Sequence, residues 1–294
     1  MEFLWCITVT TCIGIGFKLF SRFKINTLNA IVINYTVCLI LGTLIDRESG
    51  WPFSGSVIQT RWFAFDLILG LVFIVGFNLT AHSIQQAGIT MTTLIQRMSL
   101  ILTVSFTVIL FKEHFGWLEF GGLLMALMAI IAINQKTSSL SLHRSGPFPF
   151  ILMAVLVLSA AIEILLYYVE KTGLVGNDQM AFTTHGFGCA AIFGWVSLLW
   201  LAINKKLKLT GRDVIAGILL GIPNFFSIFL ILKMLNQGWN GSLMYPLINV
   251  SVLLLSTMVA VLAFREKLNR LNWIGIGLAS AAILIIAYAH TTSN

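Results

Sequence analysis

The chain has 294 residues, of which 58% are hydrophobic and only 10% charged, against about 25% charged in a soluble domain. Apolar runs of about 20 residues follow one another from end to end, which excludes a soluble enzyme or binding module and predicts a polytopic α-helical membrane protein. The net charge of +7 does not point to nucleic acid, because the cations sit in short loops where they orient the chain and leave no basic patch with interleaved aromatics.

Ten spans are expected, at 3–20, 27–45, 62–84, 89–110 and 117–134, then at 149–169, 180–203, 214–235, 242–263 and 271–289. The first has no basic stretch before it and no AxA-like cleavage site, so it reads as a retained span. Trp5, Trp51, Trp62, Trp117, Trp200, Trp239 and Trp273 fall at or beside span boundaries, where an amphipathic ring prefers the interface; Trp195 sits inside a span. The longest loops are 46–61 and 135–148, and no linker or soluble domain interrupts the series. Cys6, Cys12, Cys38 and Cys189 all lie in apolar runs without CxxC spacing and read as small hydrophobes. Five scattered histidines without HxxxH or HExxH spacing make no metal case, and no cofactor is expected.

The stretch from Gly88 to Ile131 occurs twice. Shifted by 153 residues it falls on Gly241 to Leu284 without a gap, and 14 of the 44 positions are identical, where a composition this apolar gives roughly 10% by chance. The halves are therefore expected at 1–136 and 147–290, five spans each. Loops after odd-numbered spans carry twelve Lys and Arg and those after even-numbered spans four (Arg47, Arg61, Lys112, Lys171). That bias places the odd loops in the cytoplasm and both termini outside. Because five is odd, the second half is expected upside down relative to the first, the arrangement that lets one half take the shape the other has just left.

Each half closes with a Gly/Met-bearing fourth span, an F-[KR]-E turn (Phe111-Lys112-Glu113; Phe264-Arg265-Glu266) and a Gly- and Ala-rich fifth span (Gly121, Gly122, Ala126; Gly275, Gly277, Ala279). With Pro223-Asn224-Phe225-Phe226-Ser227 and Tyr245-Pro246-Leu247-Ile248-Asn249, this resembles the drug/metabolite transporter superfamily, in particular its EamA-type members. The resemblance covers essentially the whole chain. It implies a ten-helix carrier of two inverted repeats around a central cavity, often an exporter of metabolites such as amino acids or nucleobase-type compounds, without ATP hydrolysis. It also adds Asn224 to the candidate lining.

Ionisable groups inside spans are costly and each needs a reason. Glu163, with Tyr167 one turn on, reads either as a proton-exchanging or substrate-amine site or as half of a structural ion pair with Lys233. Small multidrug relatives within the superfamily carry an essential Glu in the first helix of a repeat; the matching helix here, around Gly14-Ile15-Gly16, has no acid. Arg97, beside Gln96, could clamp a carboxylate or phosphate bidentately or snorkel to the membrane face, and its counterpart Val250 is apolar. Asp66 and Lys233 lie near span ends, within snorkelling reach.

Polar stripes run along several spans: Asn78, His82 and Gln86 in the third, Thr92, Gln96 and Thr103 in the fourth, Ser242, Tyr245, Asn249 and Ser256 in the ninth. They suit either a water-accessible cavity or interhelical hydrogen bonding, as does His185 in the seventh. Gly217 and Gly221 have the GxxxG spacing of close helix packing, and Pro223 and Pro246 can bend their helices. The expected function is a secondary transporter of small solutes, since no GxxxxGK[ST] loop couples it to ATP. Proton antiport follows if Glu163 titrates and facilitated diffusion if it is locked in a pair. The alternative is a membrane enzyme acting on a lipid-linked substrate, for which paired acids at an interface would be needed. The partners expected are the bilayer, a small-molecule substrate and protons, in a bacterial cytoplasmic membrane.

Overall fold

In a bilayer an α-helix satisfies every backbone N–H and C=O within one segment, and these apolar runs take that solution. The computed structural model describes residues 1–46, 58–87, 89–113, 115–134, 148–265 and 268–292. Gly88, Arg47, Glu48, Trp51, Lys136, Arg144, Glu266 and Lys267, and most of both long loops, lie outside them. Among the described residues the helices are α1 (Glu2–Phe23), α2 (Thr27–Ile45), α3 (Phe63–Ala87), α4 (Ile89–Met98), α5 (Leu100–Phe111), α6 (Trp117–Asn134), α7 (Phe148–Lys171), α8 (Gln179–Ile203), α9 (Gly211–Asn236), α10 (Gly241–Phe264) and α11 (Arg270–Thr292), and there is no strand. Among the described residues ten spans are long and apolar enough to cross a membrane, α4 and α5 together forming one of them. That span tightens at Ser99, whose backbone stays helical (φ -55°, ψ -24°) while its N–H bonds the Gln96 carbonyl three residues back at 3.3 Å, just after Arg97.

The chain divides into two units that each draw on both sequence halves: Met1–Ala81 with Leu165–Gln237, and His82–Ile164 with Gly238–Asn294.

In the first unit, glycine lets the helices close on one another. A Cβ on Gly217 would sit 2.5 Å from the Ala30 carbonyl oxygen, and one on Gly221 2.7 Å from Val37 Cβ, so α9 lies backbone to backbone along α2, the two running parallel. Gly42 faces Thr184 while Gly194 faces Val32, so α2 and α8 run antiparallel. Asp213 ties the α1–α2 turn to the start of α9: its carboxylate accepts from Asn26 N–H (2.9 Å), Asn29 Nδ2 (3.0 Å) and Thr210 N–H (3.0 Å). Thr210 completes a capping box on α9.

In the second unit, α6 and α11 pack through Gly122 against Ile286 and Gly275 against Ile133, so these two helices also run antiparallel. A shift of 153 residues turns the first contact into the second, as in an isologous interface. The same shift relates two left-handed helix ends, Lys112 (φ 52°) after α5 and Arg265 (φ 54°) after α10.

Asn240 makes no side-chain cap on α10; Glu113 does so instead, accepting from the N–H groups of Gly241 (2.9 Å) and Ser242 (2.8 Å). A carboxylate at a helix N-terminus takes up orphan donors and complements the dipole. Glu113→Ala is expected to lower stability by about 1 kcal/mol, with Glu113→Gln intermediate, by thermal unfolding of the purified chain in detergent.

Candidate functional site

The second unit gathers four of the residues expected to bind substrate, Arg97, Glu163, Tyr245 and Asn249, with Thr103 as a fifth. The Glu163 carboxylate accepts from Thr103 Oγ1 at 2.6 Å and from Asn249 Nδ2 at 3.5 Å, while the Tyr245 hydroxyl donates to the Glu163 backbone carbonyl at 2.9 Å. Arg97 Nη1 donates to the Asn249 carbonyl at 2.8 Å and reaches Asn249 Oδ1 at 3.5 Å. Asn249 thus stands between cation and carboxylate, its amide oxygen toward Arg97 and its amide nitrogen toward Glu163. Arg97 and Glu163 attract each other across it.

Local structure sets each of these side chains. Arg97 occupies the last turn of α4, two residues before the tightened turn at Ser99. Asn249 lies one turn after Tyr245 and also donates to the Tyr245 carbonyl at 3.0 Å, which holds its amide in place. α10 continues as helix through Pro246. Tyr245 is buried, and Arg97, Glu163 and Asn249 are partly so.

Glu163 and Lys233, considered from the sequence as an ion pair, each have other partners. Lys233 Nζ pairs with Glu2 at 2.8 Å on an exposed face, its side chain 47% accessible, and Glu163 is held by neutral donors instead. A carboxylate that keeps no fixed counter-ion in direct contact is freer to change its charge than one locked in a salt bridge.

Gln96 is half-buried on α4, and His82 is exposed, its Nε2 2.9 Å from Gln86 Nε2. In the first unit, Asn78 is exposed and donates to the Ile74 carbonyl at 2.8 Å, and Asn224 donates to Asn34 Oδ1 at 3.3 Å. Tyr167 is fully buried, with Lys171 Nζ 6.0 Å from its ring centre. His185 is buried with Asp66, its Nδ1 2.9 Å from Asp66 Oδ2.

Asp66 therefore does not snorkel: it is 0% exposed, because its face of α3 packs on α8. Trp62 and Phe63 ring the imidazole at 5.7 and 5.2 Å. Replacing His185 by Phe leaves Asp66 without this partner, with an expected loss of about 1–3 kcal/mol that Asp66→Leu in the same chain largely restores, by the same thermal measurement.

No family model matches the chain. It is 25% identical over 289 residues to an uncharacterized protein of Haemophilus influenzae, in a match that covers 97% of each chain. A solved crystal structure 16% identical in sequence aligns with a TM-score of 0.74 over 97% of this chain and 94% of that one, so the two share a fold.

Two pairings were not read from the sequence. Thr103 was visible only as one member of a polar stripe, without a sign that it faces Glu163, 60 positions away. The Asp66–His185 pair had a usable signal: His185 is the sole histidine or charged residue between Gln179 and Ile203, and a buried group of that kind needs a polar partner.

Proposed function

We propose that the chain is a secondary transporter of the drug/metabolite type, related to the EamA-type members, which moves small zwitterionic or amine-bearing metabolites outward across a bacterial cytoplasmic membrane. The observation that carries this reading is the Arg97–Asn249–Glu163 array, a cation and a carboxylate held apart by one amide inside membrane-crossing helices. A solute with a carboxylate and an amine fits between such groups, the carboxylate on the guanidinium fork and the amine on Glu163. Glu163, bound by a hydroxyl and an amide, exchanges the solute amine for a proton, and that exchange couples outward movement to proton entry.

Alternating access rests on inversion of the two sequence halves, with the odd loops cytoplasmic and both termini outside. Two features support it: the antiparallel, mutually exchanged Gly122–Ile286 and Gly275–Ile133 contacts, and an array that takes Arg97 and Thr103 from the first half and Glu163, Tyr245 and Asn249 from the second.

The test is an untargeted comparison of metabolites in medium and cytosol of cells producing the wild type or Glu163→Gln. One solute class is expected to accumulate outside with the wild type and to fall back toward the empty-vector level with the variant. An unchanged metabolite profile with the wild type contradicts export.

A further inference from the structure

A groove of about 600 Å³ runs along the first unit between α1 and α9, with Cys12 and Pro223 at one end and Phe23, Ile25 and Arg212 at the other. From Cys12 to Phe23 is eleven helical steps, about 16 Å at 1.5 Å each. That is half of the ~30 Å hydrocarbon core, the depth of a single leaflet. The walls are apolar; Ile215 and Leu219 are exposed along them.

One end of this apolar trough is strongly basic. Arg22, Lys24 and Arg212 are all exposed there, and Lys206 and Lys208 are exposed in the loop leading into α9. That loop is fastened to the same corner, the Lys208 carbonyl accepting from Asn29 Nδ2 at 2.8 Å. The adjacent acid, Asp213, does not offset the charge at the groove, because it is buried and its carboxylate is taken up by Asn26, Asn29 and Thr210. Arg212 also sits in the first turn of α9, where the helix dipole disfavours a cation, so helix stability does not account for it. Chain orientation accounts for basic loops, but not for an apolar channel one leaflet deep that ends on them.

We propose that this groove binds one anionic phospholipid, an acyl chain lying between α1 and α9 and the phosphate on Arg212 with Lys24 and Arg22 around it. The inference needs only that the chain lies in a membrane, and is independent of what it transports. Net charge decides the headgroup: a zwitterionic lipid presents the same chains and phosphate, but its ammonium meets the same cations unfavourably.

The full chain, purified in detergent, is mixed with phosphatidylglycerol or phosphatidylcholine bearing identical acyl chains, and bound lipid is counted by native mass spectrometry. One phosphatidylglycerol per chain is expected, retained several-fold over phosphatidylcholine. Arg212→Gln is expected to bring that ratio close to one without lowering the melting temperature. Ile215→Trp, at a position 61% exposed, is expected to fill the groove and reduce retention of both lipids. Equal retention of the two lipids by the wild type overturns the proposal. So does a preference that survives Arg212→Gln, or that Lys205→Gln, a change of one exposed cation in the preceding loop, reduces as much.

Discussion

Glu163→Gln is expected to cut solute-coupled proton movement by at least about tenfold while leaving the protein folded. The substitution keeps the volume and the oxygen that accepts from Thr103 Oγ1 at 2.6 Å, so the hydrogen bond joining α5 to α7 survives. What it removes is the charge, and with it the proton-for-amine exchange proposed for this residue. Thr103→Val is the companion change: it removes a neutral donor from a carboxylate in an apolar setting but leaves the carboxylate, so activity is expected to fall less than with Gln. Arg97→Gln tests the proposed carboxylate end of the solute. Losing one charge-assisted contact costs about 1.5–3 kcal/mol, or roughly ten- to hundredfold in apparent affinity. An affinity loss from Arg97→Gln and a coupling loss from Glu163→Gln separate binding from energy conversion at a site where both groups meet Asn249.

The second large effect is mechanical. Gly217→Leu is expected to destabilise the chain by about 1–3 kcal/mol or to abolish recovery of folded protein altogether. Its Cβ would lie 2.5 Å from the Ala30 carbonyl oxygen and 2.6 Å from Ile33 Cβ; the first is backbone, which no side-chain rotation can move away. Relief requires α2 and α9 to separate, and that also opens the Gly221 contact with Val37 one turn along. Gly14→Leu is the control, since nothing lies within 4 Å of a Cβ at that exposed position. Equal melting temperatures for the two variants would contradict the packing account.

Helix positions were legible because membrane length is a strong constraint: a run of about 20 apolar residues has little freedom in where it starts and ends. The expected 242–263 became Gly241–Phe264 and the expected 27–45 became Thr27–Ile45. The spacing of Gly217 and Gly221 likewise carried its meaning into the structure, since two glycines a turn apart leave the same strip of backbone open to a neighbour.

Partner choice was not legible. Periodicity tells which residues share a face but not which helix that face meets. Glu163 and Lys233 looked like complementary charges, yet Lys233 points to an exposed face and Glu2, whereas Glu163 takes donors from 60 and 86 positions away. Asp66 failed for the same reason: nearness to a span end indicates depth, while burial depends on α8 covering that side. The tightened turn at Ser99 gave no signal either, having neither proline nor glycine, and it falls beside the cation of the proposed site.

The most direct test of the transport account uses the purified chain in sealed liposomes with a pH-sensitive dye inside, challenged with pools of amino acids and nucleobase-type compounds. For at least one pool, solute addition is expected to move protons with the wild type and not with Glu163→Gln. Solute flux at equal rates in both proteins, without proton movement in either, would contradict a coupling role for Glu163, and no flux of any pool would contradict transport itself.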